Sequence, residues 1–216
     1  MSEWILVTAF GPFPGVAVNP TQALAARLAP MSFEGLPVVC RVLDVSYQRS
    51  AEQLLEELAA GWPRFMVHFG VATGSDRVAI ETRAINRMTS VHPDVDGRRF
   101  EGSPIRSDHP PDAAMFTQVA AQRLVTTLDE QGLPARLSDD AGRYVCNAIY
   151  FNALAGIAAA GLALPCIFVH VPPIGADPDP ESATDTAWTH ERLFQAASQV
   201  IGWMAANPPD ATIRLT

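Results

Sequence analysis

Cys146 stands in the stretch Arg143-Tyr144-Val145-Cys146-Asn147-Ala148, where an apolar segment of helical character opens just after the polar run 138–142. A cysteine in the first turn of a helix meets unpaired backbone N–H groups and the positive end of the helix dipole, and both favour thiolate over thiol. A thiolate nucleophile works with a base, and the base with a third group that fixes its tautomer and orientation. His170 has a suitable place for the base. Cys166-Ile167-Phe168-Val169-His170-Val171 reads as a buried strand that carries the histidine to its C-terminal end, the edge where open α/β sheets hold their sites. Glu81 lies in the alternating segment 78–86 and would be the orienting acid if it faced inward; on pattern alone, a solvated strand face pairing Glu81 with Arg83 is the plainer reading.

Other residues carry weaker chemical signals. Cys40 and Cys166 sit within uninterrupted apolar strands, where a small soft side chain packs well and stays inert. His68, His92, His109, His170 and His190 show no two-ligand spacing, so no metal site is expected. The glycines of Gly70-Val71-Ala72-Thr73-Gly74 are not followed by Lys-Ser/Thr, so no phosphate loop and no cofactor are expected. Phe10 and Phe13 flank a tight turn and could wall a pocket for a flat ring, or simply close the core.

The elements that would position these residues alternate between strand-length apolar runs and segments of helical period. A strand over 4–10 leads through Gly11-Pro12-Phe13-Pro14-Gly15 to Asn19-Pro20, an N-cap and a proline at the first helical position, and a helix over 20–29. A strand over 38–43, a helix over 51–58, and strands over 65–69 and 78–86 follow. A polar loop with few core positions runs through Ser107, and then come a helix over 113–131, a strand over 136–138, a helix over 142–161, a strand over 166–171 and a helix over 181–206. Pro172 to Pro180 reads as a loop at the site's edge. The fold class expected is α/β: one domain over residues 1–216, an open twisted mixed sheet with helices on both faces.

Composition narrows the partners. At 216 residues and 48% hydrophobic content the chain can bury a full core without staples. A net charge of −8 with no Lys/Arg cluster argues against nucleic acid and anionic membrane surfaces. Three cysteines, two of them in apolar strands, do not make a disulfide framework, which points to a reducing compartment, the cytoplasm. Met1-Ser2-Glu3 passes straight into the first apolar strand, which reads as neither an export signal nor a membrane span.

Four short motifs, in order, resemble the pyroglutamyl-peptidase I family. They are Val7-Thr8-Ala9-Phe10-Gly11-Pro12-Phe13-Pro14-Gly15 with Val18-Asn19-Pro20, Glu81-Thr82-Arg83-Ala84-Ile85-Asn86, Val145-Cys146-Asn147, and Phe168-Val169-His170-Val171-Pro172. The resemblance implies a cysteine peptidase that removes an N-terminal pyroglutamyl residue from peptides, with Cys146 as nucleophile, His170 as general base and acid, and Glu81 orienting His170. It also implies a substrate pocket at Phe10, Phe13, Asn19, Val71 and Val145, and a homo-oligomer. Three positions depart from the family's pattern: Val71 replaces a glutamine associated with the substrate site, Val91 an arginine thought to help the oxyanion, and Ala9 a glycine. Arg87 and His92 lie near enough in sequence to compensate for the arginine. A thiol hydrolase of another small cyclic or acyl amide, and a silent binding protein of the same fold, are the alternatives.

Overall fold

Every residue of the first strand, β1 (Ile5–Phe10), is buried, as expected of a strand covered on both faces. The computed structural model describes residues 3–174 and 187–208. After β1 come α1 (Pro20–Leu28), β2 (Ser32–Phe33), β3 (Leu36–Leu43), α2 (Tyr47–Ala59), β4 (Phe65–Val71) and β5 (Val78–Glu81). Four short strands follow: β6 (Arg83–Ile85), β7 (Met88–Thr89), β8 (Glu101–Ser103) and β9 (Ala114–Phe116). The chain continues through α3 (Ala121–Glu130), β10 (Ala135–Ser138), α4 (Val145–Ala159), β11 (Cys166–Val171) and α5 (His190–Ala206).

A seven-stranded mixed sheet in the order β10-β5-β11-β4-β1-β3-β2 forms the centre. β3, β1, β4 and β11 are parallel, β10 and β5 are parallel, and the two blocks meet at an antiparallel seam between β11 and β5. Two apolar clusters cover the faces: α1, α3 and α5 pack on one, α2 and α4 on the other. Among the described residues no helix is long and apolar enough to cross a membrane.

Local chemistry sets several boundaries. Asn19 caps α1 by accepting from the Thr21 N–H at 3.1 Å, and its amide donates to the Gly11 carbonyl at 3.0 Å, which fixes the turn leaving β1. Ser46 caps α2 by accepting from the Arg49 N–H at 3.1 Å, so that helix starts four residues before the expected 51.

Several expectations need correction. The strand expected over 78–86 breaks at Thr82, whose N–H and hydroxyl both donate to the Ser138 carbonyl, at 2.7 and 3.0 Å. β6 then leaves the main sheet and pairs antiparallel with β9. Residues 114–116 are therefore strand, where helix was expected over 113–131; long-range pairing outweighs local propensity, and α3 begins only at Ala121. The polar loop up to Ser107 holds the β7–β8 hairpin, and Asn86 and Asp94 on either side of β7 are buried. Residues 181–186 of the last expected helix, and 175–180 of the proline-rich segment, lie outside the described residues; 187–189 are not helical, and Thr189 caps α5.

His68, in the centre of β4, is fully buried, bonded through Nδ1 to Thr8 Oγ1 at 2.7 Å and stacked on Phe168 at 6.1 Å. Burial lowers its pKa from an ordinary 6.5 to about 3. The unfolded chain therefore binds a proton near pH 6.5 that the native state refuses, so this contribution to stability is present above pH 6.5 and is lost as pH falls towards 3. We predict that His68→Phe flattens the acid side of the melting-temperature profile between pH 6.5 and 4 relative to wild type; parallel profiles would contradict this.

Candidate active site

The β11–β5 seam is where chemistry collects. His170 on β11 lies opposite Ala79, and Phe168 lies opposite Glu81, so His170 and Glu81 are diagonal neighbours on the face of the sheet that carries α4. His170 Nδ1 and Glu81 Oε1 are 2.7 Å apart. The Glu81 side chain is 2% exposed and that of His170 12%. Tyr150 on α4, itself fully buried, donates its hydroxyl to the Glu81 carbonyl at 2.9 Å and holds the end of β5 in place. Oε2 of Glu81 has no hydrogen-bond partner among the described residues, which leaves His170 as the group that compensates the buried carboxylate. Glu81 thus faces inward, and Arg83 pairs instead with Asp139 at 3.1 Å.

Cys146 is the second residue of α4, half-buried, with its side chain in hydrogen-bond contact with His170. Asn147 anchors this helix start: its Oδ1 accepts from the Ile85 N–H at 2.9 Å, and its Nδ2 donates to the Ile85 and Arg87 carbonyls at 2.8 and 3.0 Å. Tyr144, the N-cap residue, supplies no side-chain acceptor, so the N–H groups of the first turn are left open towards the site. Burial alone would lower the His170 pKa, but the Cys146 sulfur and the Glu81 carboxylate beside the ring outweigh it and raise it to about 9.

Space for the thiol comes from Gly70, the β4 residue opposite His170. A Cβ there would lie 2.9 Å from Cys146 Sγ and 2.8 Å from Phe168 Cζ. Phe168 in turn forms the floor under the histidine, with ring centroids 4.8 Å apart, and contacts Phe10 at 6.3 Å and Tyr150 at 5.9 Å.

These groups open into a cavity of about 370 Å³. Cys146, His170, Glu81, Phe10, Phe13, Asn19 and Val71 all line it. A profile of the family described as "Pyroglutamyl peptidase" matches residues 3–187. The chain belongs to the pyroglutamyl peptidase family. Pyrrolidone-carboxylate peptidase of Pyrococcus furiosus is 34% identical over 168 residues, 78% of this chain and 80% of that protein. The enzyme of the same name from Streptococcus pyogenes serotype M1 is 33% identical over 150 residues, 69% and 68% of the two chains. Among solved structures, pyroglutamyl peptidase I of Bacillus amyloliquefaciens superposes with a TM-score of 0.85 at 25% identity, covering 95% of this chain and 98% of that one. Pyrrolidone carboxyl peptidase of Pyrococcus furiosus gives 0.83 at 30% identity, with 94% and 97% covered.

Within this member of the pyroglutamyl peptidase family, Val145 departs from expectation. Its side chain is fully buried in the α4 core and does not reach the cavity wall, because position 145 starts the helix on its inward side. Val91 is 76% exposed and also off the cavity. Neither Arg87 nor His92 takes up that role; Arg87 is committed to Asp112 at 2.8 Å, and neither residue lines the cavity. Sequence reasoning missed Thr73, Arg136, Asp140, Gly142 and Tyr144 on the wall, and Gly70, Asn147 and Tyr150 behind it. Gly70 carried a readable signal, since a glycine in an apolar strand often marks a close approach.

We expect Gly70→Ala to fold, because only the added methyl conflicts, and to displace the thiol from His170. Alkylation of Cys146 by iodoacetamide at neutral pH should slow by about 10-fold or more; a wild-type rate would show that the thiol does not depend on this space.

Proposed function

We propose that the chain is a cysteine peptidase that removes the N-terminal pyroglutamyl residue from peptides, with Cys146, His170 and Glu81 as its triad. The observation that carries this reading is the 2.7 Å bond from His170 to buried Glu81, with Cys146 against the same ring in a cavity walled by Phe10 and Phe13. A pyroglutamyl group has a lactam where other peptides carry a charged amine, so it is recognised by ring packing and neutral hydrogen bonds. Phe10, Phe13 and Val71 offer the packing, and Asn19 a polar edge.

The reaction follows from the geometry. With the proton held on His170 beside it, Cys146 Sγ attacks the carbonyl carbon joining pyroglutamate to the next residue. The first-turn N–H groups of α4, left open by Tyr144, are suited to the oxyanion. As the C–N bond breaks, His170 hands its proton to the leaving nitrogen, and a thioester to Cys146 remains. His170, now neutral, takes a proton from water; the hydroxide attacks the thioester, pyroglutamate leaves as the acid, and the proton returns to the thiol. Glu81 holds the ring in one tautomer and compensates the imidazolium.

A second reading keeps this chemistry and changes the acyl group to another small cyclic or acyl amide. It is favoured by Val71, an apolar wall residue at the position where the family carries glutamine. We further take residues 1–216 as one domain that acts in the cytoplasm as a homo-oligomer. The three cysteines, all free, support a reducing compartment, and family resemblance supports the assembly.

The test is hydrolysis of a fluorogenic pyroglutamyl amide. Wild type should turn it over, and Cys146→Ser should lose at least about 10³-fold. Because the His170 pKa is raised to about 9, the imidazolium that protonates the leaving amine persists up to that pH, and kcat/KM should fall as pH rises through about 9. Glu81→Gln removes one of the groups that raise it, so the same limb should move to lower pH. Equal rates in wild type and Cys146→Ser would refute the triad; cleavage of other acyl amides alone would favour the second reading.

A further inference from the structure

We propose that Arg136 is a specificity-determining residue that binds a carboxylate on the leaving side of the scissile bond, so that this enzyme prefers pyroglutamyl peptides whose second residue is anionic. The inference rests on the pyroglutamyl-peptidase reading above.

The sheet order carries it. Phe10 on β1 and Arg136 on β10 stand on opposite sides of His170, with β4 between on one side and β5 on the other. Arg136 is in register with Ala79, and Ala79 with His170, so the three residues share a level and a face of the sheet. Two strand spacings of about 4.8 Å put the Arg136 backbone about 10 Å from that of His170. This is close enough for the Arg136 side chain to reach the cavity, which the residue lines. The cavity is therefore apolar on the Phe10 and Phe13 side of Cys146 and charged on the Arg136 side. A substrate whose ring packs on the aromatics, with its carbonyl at Cys146, points its next residue towards Arg136.

Arg136 is also available. Among the described residues it is the only Arg or Lys on the cavity wall, and its guanidinium makes no hydrogen bond or ion pair. The acids around it are bonded elsewhere, Asp140 to Arg143, Asp139 to Arg83 and Asp76 to Arg77, and Asp76 feels the Arg136 charge without forming an ion pair with it. In a chain of net charge −8, an exposed arginine with no ion pair of its own at the mouth of a site is the group that an incoming carboxylate would meet.

The carboxylate has two sources, the side chain of an acidic second residue or the C-terminus of a dipeptide, and matched pairs separate them. Pyroglutamyl-glutamyl amide is compared with pyroglutamyl-glutaminyl amide, and pyroglutamyl-alanine with pyroglutamyl-alaninamide, in wild type, Arg136→Gln and Arg136→Lys. In wild type, kcat/KM for the carboxylate member of at least one pair should exceed its neutral partner by roughly 3- to 10-fold. The ratio should shrink in high salt, fall to about one in Arg136→Gln, and be partly restored in Arg136→Lys. Wild-type ratios at or below one in both pairs, or a preference that survives in Arg136→Gln, would overturn the proposal. Cleavage of the neutral members shows that the peptidase reading stands whatever the ratios. Failure of wild type to cleave any of the four would remove that reading and this one with it.

Discussion

The bond between His170 and Glu81 is the constraint from which the rest of the site follows. A carboxylate whose side chain is 2% exposed within a sheet is costly unless an opposite charge sits against it. His170 supplies that charge when protonated, and Glu81 and Cys146 together keep it protonated to about pH 9. Because each group depends on the others, both strands must present their side chains on one face in a fixed diagonal register, which the antiparallel β11–β5 seam provides. A one-residue slip of either strand would turn one partner to the opposite face of the sheet.

The surroundings hold that register from several directions. Tyr150 fixes the Glu81 carbonyl from α4, and Asn147 on the same helix ties Cys146 to the chain just beyond β5. One buried helix thus carries Cys146, the proposed nucleophile, and the brackets for its partners. Phe168 fills the space under His170, and Gly70 leaves the space that the thiol needs. Packing and the proposed catalysis are not separable here, since the apolar cluster that stabilises α4 also positions the Cys146 sulfur beside the imidazole.

Much of this was legible in the sequence, for physical reasons. The capping pair Asn19-Pro20 fixes the start of α1, and uninterrupted apolar runs mark β1, β4 and β11 as central strands. The place of Cys146 at a helix start follows from the polar run ahead of it. The direction of Glu81 does not follow, because alternation around 78–86 reads as one half-exposed strand. Only β10 and β11, far away in sequence, close both sides of that segment and bury the carboxylate. Residues 114–116 failed similarly: a strand of three residues is specified by its partner β6, not by its own pattern. Arg136 gave no sign at all, since its importance lies in what its neighbours already hold.

The central claim is that Cys146 carries the acyl group during turnover. Mixing the enzyme with excess pyroglutamyl peptide, quenching in acid within the first turnovers and measuring the mass of digested fragments would test it directly. A pyroglutamyl adduct on the fragment containing Cys146, absent in Cys146→Ser and lost when the unquenched mixture is left to exhaust its substrate, is the predicted result. Rapid release of pyroglutamate with no adduct on that fragment, even when deacylation is slowed in the cold, would contradict the account.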